Sequence, residues 1–363
     1  MVSSYAKLLV RYCMDVQPGD KVFISTSMLG EPLLREVYRE ALEAGAGQVE
    51  YELVFREREQ VFLEHASEMA LRTPPLLNEK AMAAFNCYLH IRAPYNVREQ
   101  SGTTPERAAI RQAAMAPLHK NYFERTADRR LKRNLCQFPT DAAAQEAGMS
   151  LSEYETFVYG ACGLLTDDPI GHWLAVRAQQ QHIVDQLNAC TDVQYRNEGT
   201  DIRFNTSGRK WINSDGQTNM PSGEVYTSPV EDSVQGVVHF SYPALYQGHD
   251  VEGVTLWVKD GFIEKWEARR GQDFLDHIFA LPGTRRFGEA AIGTNYNIKQ
   301  MTRNILFDEK IGGAIHMAIG QSYLQCGGKN ESSVHWDMIT DMTAGGEVLA
   351  DGEVIYRNGH FLI

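Results

Sequence analysis

The sequence lacks any run of roughly 20 consecutive apolar residues, the length a helix needs to cross a bilayer, so no membrane-spanning segment is expected. Its first residues, Met1 to Arg11, offer only Leu8, Leu9 and Val10 as an apolar run, without the charged lead and apolar core of a signal peptide. Paired cysteines are missing too. Cys13, Cys87, Cys136, Cys162, Cys190 and Cys326 are scattered with no CxxC spacing. That pattern suits a reducing cytosol and argues against a disulfide framework or a thiolate metal site. A cytoplasmic location follows as the expectation. Positive charge is scarce: 35 Lys and Arg stand against 47 Asp and Glu, a formal net charge of −12. Nucleic acid and anionic membranes, which demand clustered cations, are poor partners for such a chain. A cationic or neutral small substrate is compatible with it. There is also no P-loop, no HExxH helix and no GxSxG elbow. Gly45-Ala46-Gly47 lacks the third glycine of a dinucleotide fingerprint and follows a helix pattern, so it reads as a helix C-cap leading into a strand.

What is present is enough chain, 363 residues, for two domains. Lys21–Ser25 reads as a buried strand, Glu31–Ala44 as a helix with Leu33, Leu34, Val37 and Ala41 on one face, and Gln48–Val54 as the next strand. Such a βαβ unit implies a parallel sheet covered by helices. Further strands are expected at Phe85–Ile91 and Asn134–Phe138, and helices at Thr104–His119, Leu151–Cys162 and Pro169–Asn188. After about Ala189 strand signals dominate, with turns such as Ser214-Asp215-Gly216 and Lys259-Asp260-Gly261 between them. The expected fold class is therefore α/β. A Rossmann-like parallel-sheet domain over 1–189 is expected to precede a β-rich α+β domain over 190–363.

That second half holds four unusual stretches. Glu224 is the single acid in Asn219–Pro229, a segment fixed by two prolines and a glycine. Glu289 sits among small residues in Arg286–Asn295, where a metal or substrate has room to approach the backbone. In Phe307–Tyr323, a strand over Ile315–Ile319 would turn Ile315, Met317 and Ile319 to the core and His316, Ala318 and Gly320 the other way. In Ser332–Ile339, His335 and Asp337 are two apart, so a strand offers both to one ion. Each stretch alone has an ordinary reading, an exposed loop acid or a satisfied strand histidine. Together, His316, His335, Asp337, Glu224, Glu289 and Glu309 make an N/O donor set too large for one structural zinc. Two divalent ions bridged by a carboxylate suit it better.

At these residues the sequence resembles the aminopeptidase T family, dinuclear metallo-exopeptidases that include aminopeptidase S. The matching stretches are N-x-P-x-x-E-V ending at Glu224-Val225, G-E-x-A-x-G-T-N around Glu289, F-D-E…H-x-A-x-G-x-x-Y with Glu309, His316 and Tyr323, and S-x-x-H-W-D with His335 and Asp337. Thr200–Phe204, Gly208–Trp211 and the Pro18-Gly19-Asp20 region also look like the family. The resemblance implies metal ligation by Glu224, Glu289, His316, His335 and Asp337, with Glu289 as bridge and Tyr323 beside the ions; Glu309 lies in the matching stretch. It implies removal of the N-terminal residue from short peptides through a metal-bridging hydroxide. Glu224 or Glu289 would shuttle the proton, and Tyr323 would assist the oxyanion. The expected cofactors are two ions of Zn, Co or Mn, and the expected assembly is a homodimer. Two rivals remain open. His316, His335 and Asp337 alone would make the triad of a mononuclear non-haem iron ring-cleaving dioxygenase of similar fold, and a non-catalytic metal-binding protein would also use these residues.

Overall fold

A computed structural model describes residues 1–99 and 104–363. The chain divides into two compact units, residues 1–170 with 216–221 and residues 171–215 with 222–363. The sequence placed the division at the end of the long helix, residue 189. The helix Pro169–Ala189 instead belongs to the second unit from residue 171 onward, because Ile183, Val184 and Leu187 join that unit's core.

The first unit is built on a five-stranded parallel sheet in the order Gln48–Val54, Lys21–Ser27, Cys87–Arg92, Lys132–Gln137 and Asn219–Met220. Val22 to Thr26 are buried without a break, as expected for a strand covered on both faces. The helix Glu31–Glu43 buries Leu33, Leu34, Val37 and Ala41, and Gly45 follows it with φ of 90°. The helix expected at Thr104–His119 runs longer, Pro105–Ala127, with Pro117 inside it. The short strand Asn219–Met220 comes from far along the chain, and local periodicity carries no trace of that return.

The second unit holds a two-stranded sheet, Ala244–Tyr246 with His249–Val251, and two large antiparallel sheets. One has eight strands in the order Phe262–Glu267, Val254–Lys259, Gln235–Phe240, Thr200–Asn205, Asp192–Asn197, Glu347–Ala350, Glu353–Arg357 and His360–Phe361. The other has five: His335–Asp341, Ala314–Gly320, Phe287–Gly293, Glu224–Thr227 and Ile212–Ser214. Ala290, Ile292, Ile315, Met317, Ile319, Trp336 and Met338 from the five-stranded sheet share one core with Tyr195, Ile202, Phe204, Val238 and Leu256 from the other. Period-2 alternation then turns the residues between them to the sheet's opposite face. That face carries the chemistry.

Candidate metal centre

Strand register decides which side chains meet. Glu289 pairs with Ala318, and Ala318 with Asp337, so the two acids lie in one row across three strands with only a methyl group between them. His316 faces Ala291, His335 faces Gly320, and Glu224 faces Gly293. Each of these five side chains thus has alanine or glycine as a cross-strand neighbour on one side; on the other, His316 faces Ile339 and Glu224 faces Ser214. The small residues of the sequence motifs keep the middle of the face open.

Glu289 reaches this face through an irregularity. Phe287 and Glu289 have the same parity, yet Phe287 lies in the core while Glu289 does not. A register shift between them, at Gly288, absorbs the difference. A β-carbon on Gly288 would overlap the Gln321 carbonyl, and one on Gly293 would overlap the Ile311 carbonyl. The glycines on either side of Glu289 are therefore demanded by close backbone approach.

The side chains converge. One ligand atom each from Glu289, His316 and Asp337 lies within 4.8 Å of the other two. His316 Nε2 is 3.5 Å from Glu224 Oε2 and 3.7 Å from Glu289 Oε1. His335 Nε2 is 3.1 Å from Glu289 Oε2 and 3.5 Å from Asp337 Oδ1. The Tyr323 hydroxyl is 3.4 Å from His335 Nε2, and its ring packs between those of His335 and Tyr226 with centroids 5.0 and 5.2 Å away. Glu309 joins through Lys310, whose ammonium contacts Glu309 Oε1 and lies 3.5 Å from Glu224 Oε1. All seven residues singled out in the sequence therefore meet in one place.

The donor set fits a divalent cation. Neither ring nitrogen of His316 has a hydrogen-bond partner although the residue is buried, and Asp337 Oδ1 has none either. Buried polar atoms are seldom left this way without a ligand to satisfy them. His335 Nδ1 lies 2.8 Å from the Gln321 carbonyl oxygen, which can only accept. Nδ1 therefore carries the hydrogen, and in the neutral ring Nε2 presents its lone pair to the cluster, the arrangement typical of a metal-ligating histidine.

The chain matches the thermophilic metalloprotease (M29) family over residues 1–361. It belongs to that family. It is similar to aminopeptidase 2 of Geobacillus stearothermophilus, 28% identical across 99% of this chain and 97% of that protein. It is 25% identical to aminopeptidase T of Thermus thermophilus, across 98% and 94% of the two chains. In fold it matches wild-type AmpT from Thermus thermophilus with a TM-score of 0.87 at 24% identity, covering 100% of this chain and 99% of that one. Membership in a metalloprotease family disfavours the dioxygenase reading. So does the geometry: a mononuclear triad has no need of Glu224 and Glu289 beside His316.

Electrostatics in this M29 site are dominated by acid. Burial alone would push both histidines down, but Glu289, Glu224 and Asp337 hold His316 up at about 9. Burial likewise opposes the charged form of His335, and Asp337 and Glu289 outweigh it. Burial would raise Asp337, but His335 first, then His316 and Lys310, bring it down to about 2. For Lys310, burial is likewise outweighed by Glu224 and Glu309, so its ammonium stays charged. Sequence reading did not single out Lys310 or Tyr226. A lysine following Asp308-Glu309 looks like a solvated charge run, and only the fold shows that it has no exposure at all. Tyr226 could have been found by parity, two residues beyond Glu224 on the same strand face.

Behind the site, backbone contacts fix the acids. Gln180 Nε2 donates to Asn213 Oδ1 at 2.6 Å, to the Ser214 carbonyl at 3.0 Å and to the Glu224 carbonyl at 3.3 Å. Ser228 Oγ donates to the Gly288 carbonyl at 2.7 Å and accepts from the Tyr323 amide at 3.1 Å, tying three strands' ends together. Asn295 joins the Lys310 loop to the Glu224 strand: its amide donates to the Lys310 carbonyl at 3.0 Å and its side chain to the Ser222 carbonyl at 2.8 Å.

Proposed function

We propose that this protein is a dinuclear metallo-aminopeptidase that removes the N-terminal residue of short peptides. The observation that carries the reading is the buried N/O cluster with an unpartnered His316, in a chain of a metalloprotease family whose similar members are named aminopeptidases. Glu224, Glu289, His316, His335 and Asp337 would hold two divalent ions, of Zn, Co or Mn. Glu309, turned to Lys310, is the weakest ligand candidate of the set. The ions, when bound, would supply Lewis acidity toward the carbonyl and a water acidified toward neutrality.

The remaining work falls to the chain's own groups. The free α-amine of the first residue is the proposed mark that selects the first peptide bond, because an internal residue has no such group to offer. Glu289 or Glu224 would accept the proton of the attacking water and return it to the leaving nitrogen. Tyr323, whose ring packs between those of Tyr226 and His335, would donate its hydroxyl hydrogen to the developing oxyanion. The assembly is proposed to be a homodimer working in the cytoplasm; among the described residues no helix is long and apolar enough to cross a membrane.

The test is an assay of the purified protein with Co²⁺ or Zn²⁺ on short peptides in two forms, free and N-acetylated. Release of the first amino acid from the free form alone, stopped by EDTA, is the expected outcome. Equal cleavage of the acetylated peptides would rule out exopeptidase selectivity. No cleavage with full metal loading would leave the metal-binding-protein reading in its place.

A further inference from the structure

Resting on the two-ion reading above, we infer that Lys310 is a positioning residue that makes the two metal positions unequal, weakening the ion at the Glu224 end of the cluster relative to the ion at the His335–Asp337 end. Lys310 has no exposed side-chain surface, so its charge cannot be dispersed into water. Its ammonium contacts Glu309 Oε1 and lies 3.5 Å from Glu224 Oε1, while Glu224 Oε2 lies 3.5 Å from His316 Nε2. Glu224 is therefore shared: one oxygen answers a fixed cation, and the other is left for the cluster. His335 lies with Glu289 and Asp337, and neither acid has a direct contact of that kind with the lysine.

Two consequences follow from charge alone. A cation at the Glu224 end must enter against a buried ammonium a few ångströms away, and it finds Glu224 and Glu309 already partly neutralised. Repulsion at that range in a protein interior is large enough to change affinity on the order of tenfold or more. The ammonium also keeps the two acids from repelling each other when that ion is absent, so the half-loaded protein remains a stable state. The loop geometry fits this role: the Lys310 backbone is anchored by Asn295, which also anchors Ser222 beside Glu224. The lysine therefore keeps its place whether or not the ion is bound.

The experiment strips the full-length protein, titrates it with Co²⁺ alone, and follows stoichiometry by elemental analysis and binding by calorimetry and visible absorption. The wild type is expected to bind two ions in two resolved steps. Lys310→Met should tighten the weaker step on the order of tenfold or more and leave the tighter step unchanged, while Lys310→Arg, which keeps the charge, should retain the separation. Two steps that coincide in the wild type overturn the inference, as does a Lys310→Met protein whose weaker step is unchanged or looser. Should Lys310→Met not fold, as judged by its melting curve, Lys310→Gln decides. It removes the charge and keeps a polar end for Glu309, so it should tighten the weaker step; an unchanged or looser step overturns the proposal. A chain that binds no metal at all would instead remove the aminopeptidase reading, which separates the two failures.

Discussion

In the N-terminal unit Lys132 meets Asp20 at 2.6 Å, with 25% and 17% of the two side chains exposed; in the C-terminal unit Lys310 meets Glu309 and Glu224 with no exposure of its own. The chemistry is the same and the settings are opposite. Asp20 is balanced: one ammonium, the Gln17 amide at 2.9 Å and the Cys87 thiol at 3.7 Å all converge on its Oδ2. Around Lys310, the acids Glu224, Glu289, Glu309 and Asp337 are met by the lysine and by two histidines that they hold in the charged form, yet neither His316 nitrogen nor Asp337 Oδ1 has a hydrogen-bond partner. A structural ion pair satisfies its own polar atoms. A functional cluster is left with buried polar atoms that only a ligand can satisfy.

The largest expected break in this comparison comes from the unsatisfied side. Glu289→Ala removes the acid that lies between His316 and His335. It should lower kcat/KM for a free dipeptide about 10³-fold, the scale of a lost acid–base group, with a cooperative melting curve retained by the metal-stripped variant. A mutant that kept its rate would show that Glu289 takes no part. Next in size is metal removal. Ions that bind only the folded chain stabilise it by about 3 kcal/mol at a free concentration near 100 times Kd. Adding Co²⁺ to stripped protein should raise amide protection in Phe287–Gly293, Ala314–Gly320 and His335–Asp341 and leave Lys21–Ser27 and Cys87–Arg92 unchanged. Hydrogen exchange reads both units at once. Uniform protection throughout would mean the ions act on global stability and do not order the site sheet in particular.

The sequence made part of this legible for a physical reason. Alternation over Ile315–Ile319 and the two-residue step from His335 to Asp337 are local, and period-2 geometry translates them directly into faces. The structure agrees: Ile315, Met317 and Ile319 are in the core, and His316 lies with Glu289 and Asp337. Glu289 was harder. Strict alternation would put it on the side of Phe287, and only the register shift at Gly288 separates them. The apolar run Val251–Val258 is divided between two strands, His249–Val251 and Val254–Lys259, because Gly253 turns the chain with φ of 63° and Glu252 bridges to Arg270. Lys310 was beyond reach altogether. Nothing within a few residues of it distinguishes a solvated lysine from one enclosed by acids far away in the chain.

The smallest expected effect probes the balanced side. Burial would raise the Asp20 carboxyl, but the hydrogen bond from Lys132, then the Gln17 amide and the charge of Lys132, hold it below its ordinary value. A carboxyl depressed in the folded state stabilises the protein fully above its unfolded value of about 4, and that stabilisation drains away as pH falls through the lower folded value. Because the pair is partly open to water, solvent screens it, and Asp20→Asn should cost only about 0.5–1 kcal/mol at pH 7. Urea unfolding of wild type and variant should therefore differ at pH 7 and converge toward pH 3. Added salt at pH 7 should narrow the gap as well. A difference that persists unchanged at pH 3 would mean that the hydrogen bond from the Gln17 amide, and not the charge of Lys132, is what Asp20 contributes.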